Sequence, residues 1–600
     1  MATPGSVRID FRAAGPAWSQ LHFAAPARVL EARALTEVRP VLRAAEAAAA
    51  AGAWVAGFVA YEAAPAFEPV MGAHPAGPLP LAWFAVYGAP ELEPRGRGRA
   101  VGPAHLGLDW MPGVDAARHA ADVARIREAI AAGEVYQVNY TFPLTARLPT
   151  DEDALWSRLT GAQADGYFAL LDTGPQAILS ASPELFFRTS GRRITTRPMK
   201  GTRLRGRWPA EDRAAAAALA DSAKDRAENL MIVDLLRNDL GRVARTGTVC
   251  VPALFQVERY PTVWQMTSTI EAELRADVGL EEVFAALFPC GSVTGAPKIA
   301  ATRFIADLED APRGVYCGAV GLLRPGGDAV FNVAIRTAVV DRPAATAVYG
   351  VGGGITTDSD AAAEHGEALA KAAVLSRPPR AFELLETLRL EHGVYGRLER
   401  HLARMAEGAE HFGFPFRSDD AGANLEAHAT LHAGAARRVR LLCAPDGRLR
   451  VESAALAEPW RGSPAGAEEP RPTPFAACRV DRLDPLLQHK TTWRRTYEDA
   501  LAEHPDAFDV LLLNRDEEVT EFTRGNVVVS LDGAYWTPPR DCGLLPGCYR
   551  AELVEMGMVS ERVLRVADLE QADGIWLVNS VRGWVRVALD QSTSMAPVSR

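Results

Sequence analysis

Hydrophobic positions along the chain follow two periods, and the switches between them mark the elements. Apolar runs such as YFALL (167–171), AILSA (177–181) and AVYGV (347–351) are too short for helices and read as buried strands. ENLMIVDLLRNDL (228–240) is longer and reads as a helix, so the first part of the chain is a mixed α/β domain whose topology periodicity does not give. Further on, Leu398, Leu402, Met405, Ala409 and Phe412 recur at spacings of four and three, one buried helical face, with Arg397, His401 and Arg404 on another. The clearest interruption is SRPPR, Ser376 to Arg380, where paired prolines without backbone donors precede the apolar run AFELLETL. This places a first domain at 1–376, a linker at 377–380, a second domain at 381–590 and a disordered tail at 591–600. A weaker seam, the Pro- and Gly-rich stretch Glu458 to Pro474, is predicted to join two lobes of the second domain, and no repeat of fixed period occurs.

Composition narrows the class. At ~100–200 residues per domain, 600 residues hold several cores. With 48 % hydrophobic and 23 % charged residues the chain is globular, not disordered or fibrous. A net charge of -10 leaves no basic excess for nucleic acid. The seven cysteines form no CxxC pair, so neither a disulfide framework nor a zinc site is expected and a reducing cytoplasm suits them. MATPGSVRID lacks the apolar core of a secretion signal, and the uncharged stretch Ala47 to Tyr61 is shorter than the ~20 residues that span a bilayer. No membrane association is expected.

Candidate chemistry begins with carboxylates. Asp225 and Glu228 lie three apart at the head of an apolar helix, and Glu364 and Glu367 repeat that spacing behind a triglycine turn, with Lys371 four further on the same face. Either pair alone would equally serve as a solvated charged face; two pairs on two helices suggest Mg²⁺, a hard cation that takes oxygen ligands and leaves positions for substrate. GSVTGAPK (291–298) leads into a helix, and backbone N–H groups there would suit a carboxylate.

Six ordered motifs carry a resemblance: SPELFF (182–187), RPMKGTRLRG (197–206), AENLMIVDLLRNDLGR (227–242), GSVTGAPK, FNVAIRT (331–337) and GGGITTDSD (352–360). Together they resemble the chorismate-binding enzymes, a family that includes anthranilate synthase, isochorismate and salicylate synthases and aminodeoxychorismate synthase component I. The resemblance is close over about 110–375 and implies a fold of two packed sheets. It implies Glu228 and Glu367 as metal-binding glutamates, with Glu364 and Asp225 supporting them. Arg336, Tyr316 and the backbone of Thr294 and Gly295 are implied to hold the substrate carboxylates, with Lys371 also at the substrate, and Glu184 to protonate the departing 4-hydroxyl. Lys200 stands where anthranilate and salicylate synthases usually have alanine and where aminodeoxychorismate synthases have lysine. Attack of its amine at C2, followed by ammonia at C4, would leave nitrogen at C4, whereas one direct ammonia addition would leave it at C2. Gln137 stands where water-adding relatives place a lysine base, and an amide cannot take a proton. Gln265 stands where several relatives have histidine, a departure expected to affect rate and not reaction type. Cys290 reads as a buried inert thiol. No GxCxGxQ-like glutaminase elbow occurs, which implies ammonia from a separate glutamine amidotransferase subunit.

After the seam, FELLETLRLEHGVYGRLERHLARM, LLQHKTTWRRTYEDA, LLLNRDEEVTEFTRGNVVVS and TPPRDCGLLPGCYRAELVE resemble, in this order, the class IV pyridoxal-phosphate enzymes, which include branched-chain and D-amino-acid aminotransferases and aminodeoxychorismate lyase. A two-lobed fold-type IV domain is implied. Lys490 would bond the cofactor, Glu521, thirty-one residues on, would pair with its pyridine nitrogen, and Arg404, with backbone donors near Thr523 and the turn at Gly547, would hold the phosphate. Tyr549 replaces a threonine of some relatives, leaving backbone contacts at that turn. The two halves together imply 4-aminobenzoate synthesis from chorismate for folate, by amination and then pyruvate elimination. An aminotransferase second half and an anthranilate synthase-type first half are the rival readings, and dimerisation through the second half is left open.

Overall fold

The computed structural model describes residues 4–92, 108–148, 152–161, 163, 165–376, 382–434, 436–465 and 469–589. The expected linker at 377–380, the tail at 591–600 and part of the seam between Glu458 and Pro474 lie outside them. The chain forms two compact units, one of residues 1–204 and 216–379, the other of residues 205–215 and 380–600.

The first unit contains two ten-stranded sheets. In one, Gln137–Arg147 and Thr346–Ile355 pair antiparallel along their length, and the order continues through Thr337–Asp341, Gln176–Ser182 and Tyr167–Asp172 to Val7–Asp10. In the other, Val263–Glu273 is flanked by Met199–Leu204 and Arg193–Arg197, followed by Leu185–Ser190, Ala329–Val333, Ala319–Leu323 and Trp54–Val59. Alternation along the strands decides how the sheets meet. Val7, Ile9, Tyr167 and Ile178 of the first sheet and Phe58, Trp83, Leu322 and Val330 of the second share one buried cluster, so the sheets pack face to face as expected. Helices Leu35–Ala50, Ala223–Gly241 and Leu280–Leu287 cover the outer face of the second sheet, where Phe186, Phe284 and Phe331 join Ile232 and Leu236. The runs read as strands at 167–171, 177–181 and 347–351 are strands, and 228–240 is helical.

The second unit has two sheets. A four-stranded one, centred on Leu384–Glu391 and Arg437–Cys443, packs against Leu398–Phe412 through Leu388, Met405, Ala409 and Val439. A nine-stranded one runs from Arg471–Thr473 through Gly583–Leu589, Gly574–Asn579, Gly525–Leu531, Val519–Phe522 and Leu511–Asn514 to Phe475–Val480. The Pro- and Gly-rich seam falls between the last strand of the smaller sheet, Leu449–Ala455, and the first of the larger. His401, expected on a face other than the apolar one, is also buried, at 1 % exposed. Residues 205–215 belong to this unit through specific contacts. Arg205 pairs with Asp212 at 2.6 Å and donates to the His411 carbonyl, Arg540 lies over the Trp208 ring, and His489 Nε2 is 3.0 Å from the Arg207 carbonyl.

Candidate active sites

The first site gathers on the glycine run of Thr346–Ile355. A methyl added at Gly354 would stand 2.0 Å from Gln137 Nε2 and 2.9 Å from Lys200 Nζ; one at Gly353 would stand 3.4 Å from Glu364 Oε2 and 3.6 Å from Lys371 Nζ. Four side chains from three elements therefore rest on this glycine run, Glu364 and Lys371 sharing one helix, and at Gly354 an added methyl would displace two of them. Lys200 reaches this point because its strand is irregular. The register of Met199–Leu204 on Val263–Glu273 slips between Met199 and Thr202, and Gly201 takes a φ of +92°, a bulge that redirects the side chain. Asn229 donates to the Lys200 carbonyl at 3.3 Å and is itself held by Ser268 at 2.6 Å. Gln265 donates to the Gly201 carbonyl at 2.8 Å and accepts from Thr202, so the residue that departs from several relatives braces this bulge.

Charge at the site is unevenly compensated. Enclosure holds the Lys200 amine below its ordinary range against the pull of Glu228, and Lys371 pushes the same way as enclosure. Glu184, 3 % exposed, sits in the turn after Gln176–Ser182, where its N–H donates to Ser182 Oγ at 3.1 Å and its carbonyl accepts from Val333 at 3.1 Å. Burial pushes its carboxyl up to about 7, more than Lys200 pulls it down, so a proton is available near neutrality. Glu184 Oε1 and Gln137 Oε1 are both buried without a hydrogen-bond partner. Native interiors rarely leave such atoms alone, and both belong to this site.

Of the carboxylates expected to hold a metal, Glu364 lies at Gly353 and Asp225 at Gly201. Glu364 accepts from Ser359 Oγ at 2.7 Å. Burial would raise Glu367, but the Lys371 ammonium at 2.9 Å outweighs it and holds the group below its ordinary range. Glu228 is raised, chiefly by burial. Asp225 Oδ1 would be 3.3 Å from a methyl at Gly201. An all-oxygen donor set suits a hard cation. These oxygens are not drawn together: among the described residues the one group of three ligand types within 4.8 Å is Glu386, His401 and Cys548, in the second unit.

Of the remaining expected residues, Gly295 and Tyr316 border the two strands that carry this cluster. Gly295, at φ +142°, lies against the Gln137 backbone, where a Cβ would meet its carbonyl at 2.1 Å. Thr294 is buried, and its hydroxyl donates to the Cys290 carbonyl at 3.1 Å. The Tyr316 ring covers Gly350 at 2.3 Å from a would-be methyl. Arg336 adopts φ +50°, a region that costs a side-chain-bearing residue about 1–3 kcal/mol and is found most at functional sites. Cys290 is 4 % exposed and burial pushes its thiol up to about 12, the inert state expected.

The second site centres on Lys490, beside a cavity lined by Trp493, Arg494, Tyr497 and Leu545. Enclosure, with Arg494 and Arg404 adding to it, lowers its amine to about 8. Glu521 is 4 % exposed, accepts from Tyr497 Oη at 2.8 Å, the Leu545 N–H at 3.1 Å and Asn526 Nδ2 at 3.3 Å, and is pushed up to about 7 by burial. Arg404 pairs with Glu386 through two N–H groups and donates a third to the Pro546 carbonyl at 3.1 Å, next to Gly547. Gly547 caps helix Cys548–Glu555, and a Cβ there would meet Asn526 Oδ1 at 1.9 Å. Thr523 gives both its N–H and its hydroxyl to Asp509 Oδ1, at 2.9 and 2.6 Å, so in this arrangement its donors are already taken. The Tyr549 hydroxyl donates to the Gly462 carbonyl at 3.3 Å while Arg397 covers its ring. A lysine with an enclosed amine of lowered pKa, a buried carboxylate, an arginine and a helix N-terminus at a glycine fit pyridoxal phosphate. Glu386, Tyr497, Arg494 and Asn526 were not anticipated; Glu386 alone had a signal, a charge inside the apolar strand LLETL.

With this geometry in hand, the comparisons are specific. Residues 103–377 match the chorismate binding enzyme family, and residues 383–589 match amino-transferase class IV. The chain thus matches the two families in succession, over separate stretches. Among curated proteins it is 46 % identical over 252 residues to the aminodeoxychorismate synthase of Streptomyces griseus, covering 42 % of this chain and 35 % of that protein. It is 41 % identical over 271 residues to aminodeoxychorismate synthase component 1 of Escherichia coli, 44 % of this chain and 58 % of that one. The chain therefore spans between about a third and three fifths of these relatives. The solved anthranilate synthase component I of Streptococcus pneumoniae aligns with a TM-score of 0.52 at 26 % identity, over 63 % of this chain and 93 % of that one. No described helix is long and apolar enough to cross a membrane.

Proposed function

We propose that the chain makes 4-aminobenzoate from chorismate in two steps, amination at C4 by the first unit and elimination of pyruvate by the second. The observation that carries the reading is Lys200. It sits on a bulge against Gly354, its amine is held below its ordinary range by enclosure, and Glu184 and Gln137 are its neighbours. An amine held below its ordinary range gives up its proton more readily, and the deprotonated form is a nucleophile; the identities to two aminodeoxychorismate synthases support assigning this one to attack at C2. Glu184, protonated near pH 7, gives its proton to the departing 4-hydroxyl. Ammonia from a separate glutamine amidotransferase subunit then adds at C4 and expels Lys200. Gln137, which cannot act as a base, does not activate water. Arg336, Tyr316, Lys371 and the backbone at Thr294 and Gly295 hold the substrate carboxylates. Glu228, Glu364, Glu367 and Asp225 would hold Mg²⁺, which offsets substrate negative charge.

In the second unit Lys490, Glu521, Arg404 and the Gly547 turn would hold pyridoxal phosphate, whose ring supplies an electron sink. The Lys490 amine, with its pKa lowered to about 8, takes the proton from C4 of the aminated substrate. Loss of the enolpyruvyl group then aromatises the ring, and no second amino acceptor is needed. A fused lyase consumes what the first unit makes, which favours this reading over a 2-oxo-acid-dependent aminotransferase.

The test is to incubate the chain with chorismate, an ammonium salt, Mg²⁺ and pyridoxal phosphate and identify the products by chromatography and mass spectrometry. We expect 4-aminobenzoate and pyruvate. Anthranilate as the main product would refute the role given to Lys200, and aminodeoxychorismate that accumulates unconverted would refute the lyase.

A further inference from the structure

Behind Arg404 lies a cluster that this scheme does not use. Glu386 is on the strand Leu384–Glu391, His401 on the helix Leu398–Phe412, and Cys548 at the start of the helix after Gly547. All are buried, with ligand atoms within 4.8 Å of one another, a spacing that resembles a divalent-metal site. The cation already there is Arg404. Its Nε donates to Glu386 Oε1 at 2.8 Å and its Nη2 to Oε2 at 2.6 Å, so both carboxylate oxygens are engaged by one planar fork. His401 Nδ1 is 2.6 Å from the same Oε2, and the Cys548 sulfur is 3.6 Å from that nitrogen.

The charges close without a metal. Burial would raise Glu386, yet Arg404, and after it His401, bring its carboxyl down to about 2, so it is ionised at any working pH. Burial holds His401 below its ordinary range, so it is neutral and donates to Glu386 through Nδ1. One carboxylate thus matches one guanidinium. The third arm of the guanidinium is fixed on the Pro546 carbonyl, so Arg404 is clamped between a strand and the turn at Gly547 before any ligand arrives. A side chain ordered in advance loses less freedom when it binds.

We infer that Glu386 and His401 are positioning residues for the cofactor phosphate: Glu386 sets the plane of the Arg404 guanidinium, and His401 holds Glu386 in place through the Oε2 that Arg404 also engages. This rests on the assignment of pyridoxal phosphate to the second unit. Because both residues act through a phosphate-holding group, they discriminate between ligands with and without phosphate.

The experiment uses the full-length apoprotein, titrated with pyridoxal phosphate and separately with pyridoxal, and follows the visible absorption of the ligand bonded to Lys490. Glu386→Gln is expected to weaken pyridoxal phosphate binding by about tenfold or more, the scale of a lost support behind a ligand-holding group. His401→Gln weakens it less, and neither changes capture of pyridoxal. In an Arg404→Lys background the Glu386→Gln effect shrinks, as coupled residues require. Equal losses for both ligands, or no loss for either, overturns the inference. So does a cobalt(II) thiolate absorption that disappears in Cys548→Ser, which would make the cluster a metal site. Failure of the unaltered protein to capture either ligand would instead refute the cofactor assignment itself.

Discussion

The two lysines assigned to chemistry, Lys200 and Lys490, are made reactive in opposite company. Each is partly exposed along its length with its amine enclosed, and each is lowered chiefly by that enclosure. Around Lys200 the strongest charge is a carboxylate, Glu228, which partly restores the proton; around Lys490 the strongest are the guanidiniums of Arg494 and Arg404, which drive it further off. In the proposed scheme, the lysine that is released again by ammonia is the one near acids, and the one that bonds a cofactor and then serves as base is the one near cations. Desolvation makes a lysine available, and its neighbours decide how far its pKa falls.

The sharpest way to break this comparison is to exchange the outcomes. Lys200→Ala should abolish amination by ~10²-fold or more while leaving added aminodeoxychorismate convertible, and Lys490→Ala should do the reverse. Separate assays of the two steps check this; loss of both steps in either variant would contradict it. Gly354→Ala comes next. Its methyl would stand 2.0 Å from Gln137 Nε2 and 2.9 Å from Lys200 Nζ and so push both flexible ends out of position; amination should fall about 10²-fold with the second step unchanged.

pH offers a gentler test. Since only the neutral amine bonds the cofactor, capture of pyridoxal phosphate by Lys490 should accelerate as pH rises toward about 8 and level off above it. The sign reverses for Glu184, where the acid form is the active one. At constant free ammonia, amination should decline as pH rises through about 7, a limb that Glu184→Gln removes. Cys290→Ala should do least. The thiol is buried and inert, so the change should cost about 1 kcal/mol in denaturant titrations and leave both rates within roughly twofold.

Local pattern carried much of this. The strands at 167–172, 176–182 and 346–355 and the helices at 223–241 and 398–412 have unmistakable periods and fall where those periods put them. Lys200, Gln137, Glu364 and Lys371 were named from motifs, and all four meet on one glycine run. What the pattern missed is non-local. His401 sits at a polar helical position, but its partner Glu386 comes from a neighbouring strand, and no period in one element reports a charge in another. Tyr497 and Asn526 were invisible for the same reason, since each matters only by reaching Glu521. Thr523 shows the converse: a residue in the right motif whose donors a nearby aspartate has already claimed.

The same non-locality bears on how the gene could be divided. The proline-marked seam invites a cut just before residue 381, yet eleven residues of the second unit, 205–215, come from far upstream. Among them is Arg207, whose carbonyl faces the imidazole of His489, immediately before Lys490 in sequence. A polypeptide started at 381 would be translated without that acceptor and without Trp208 under Arg540. In this protein the boundary that is obvious in one dimension is not a boundary of modularity, and transplanting the second half requires grafting an internal peptide along with it.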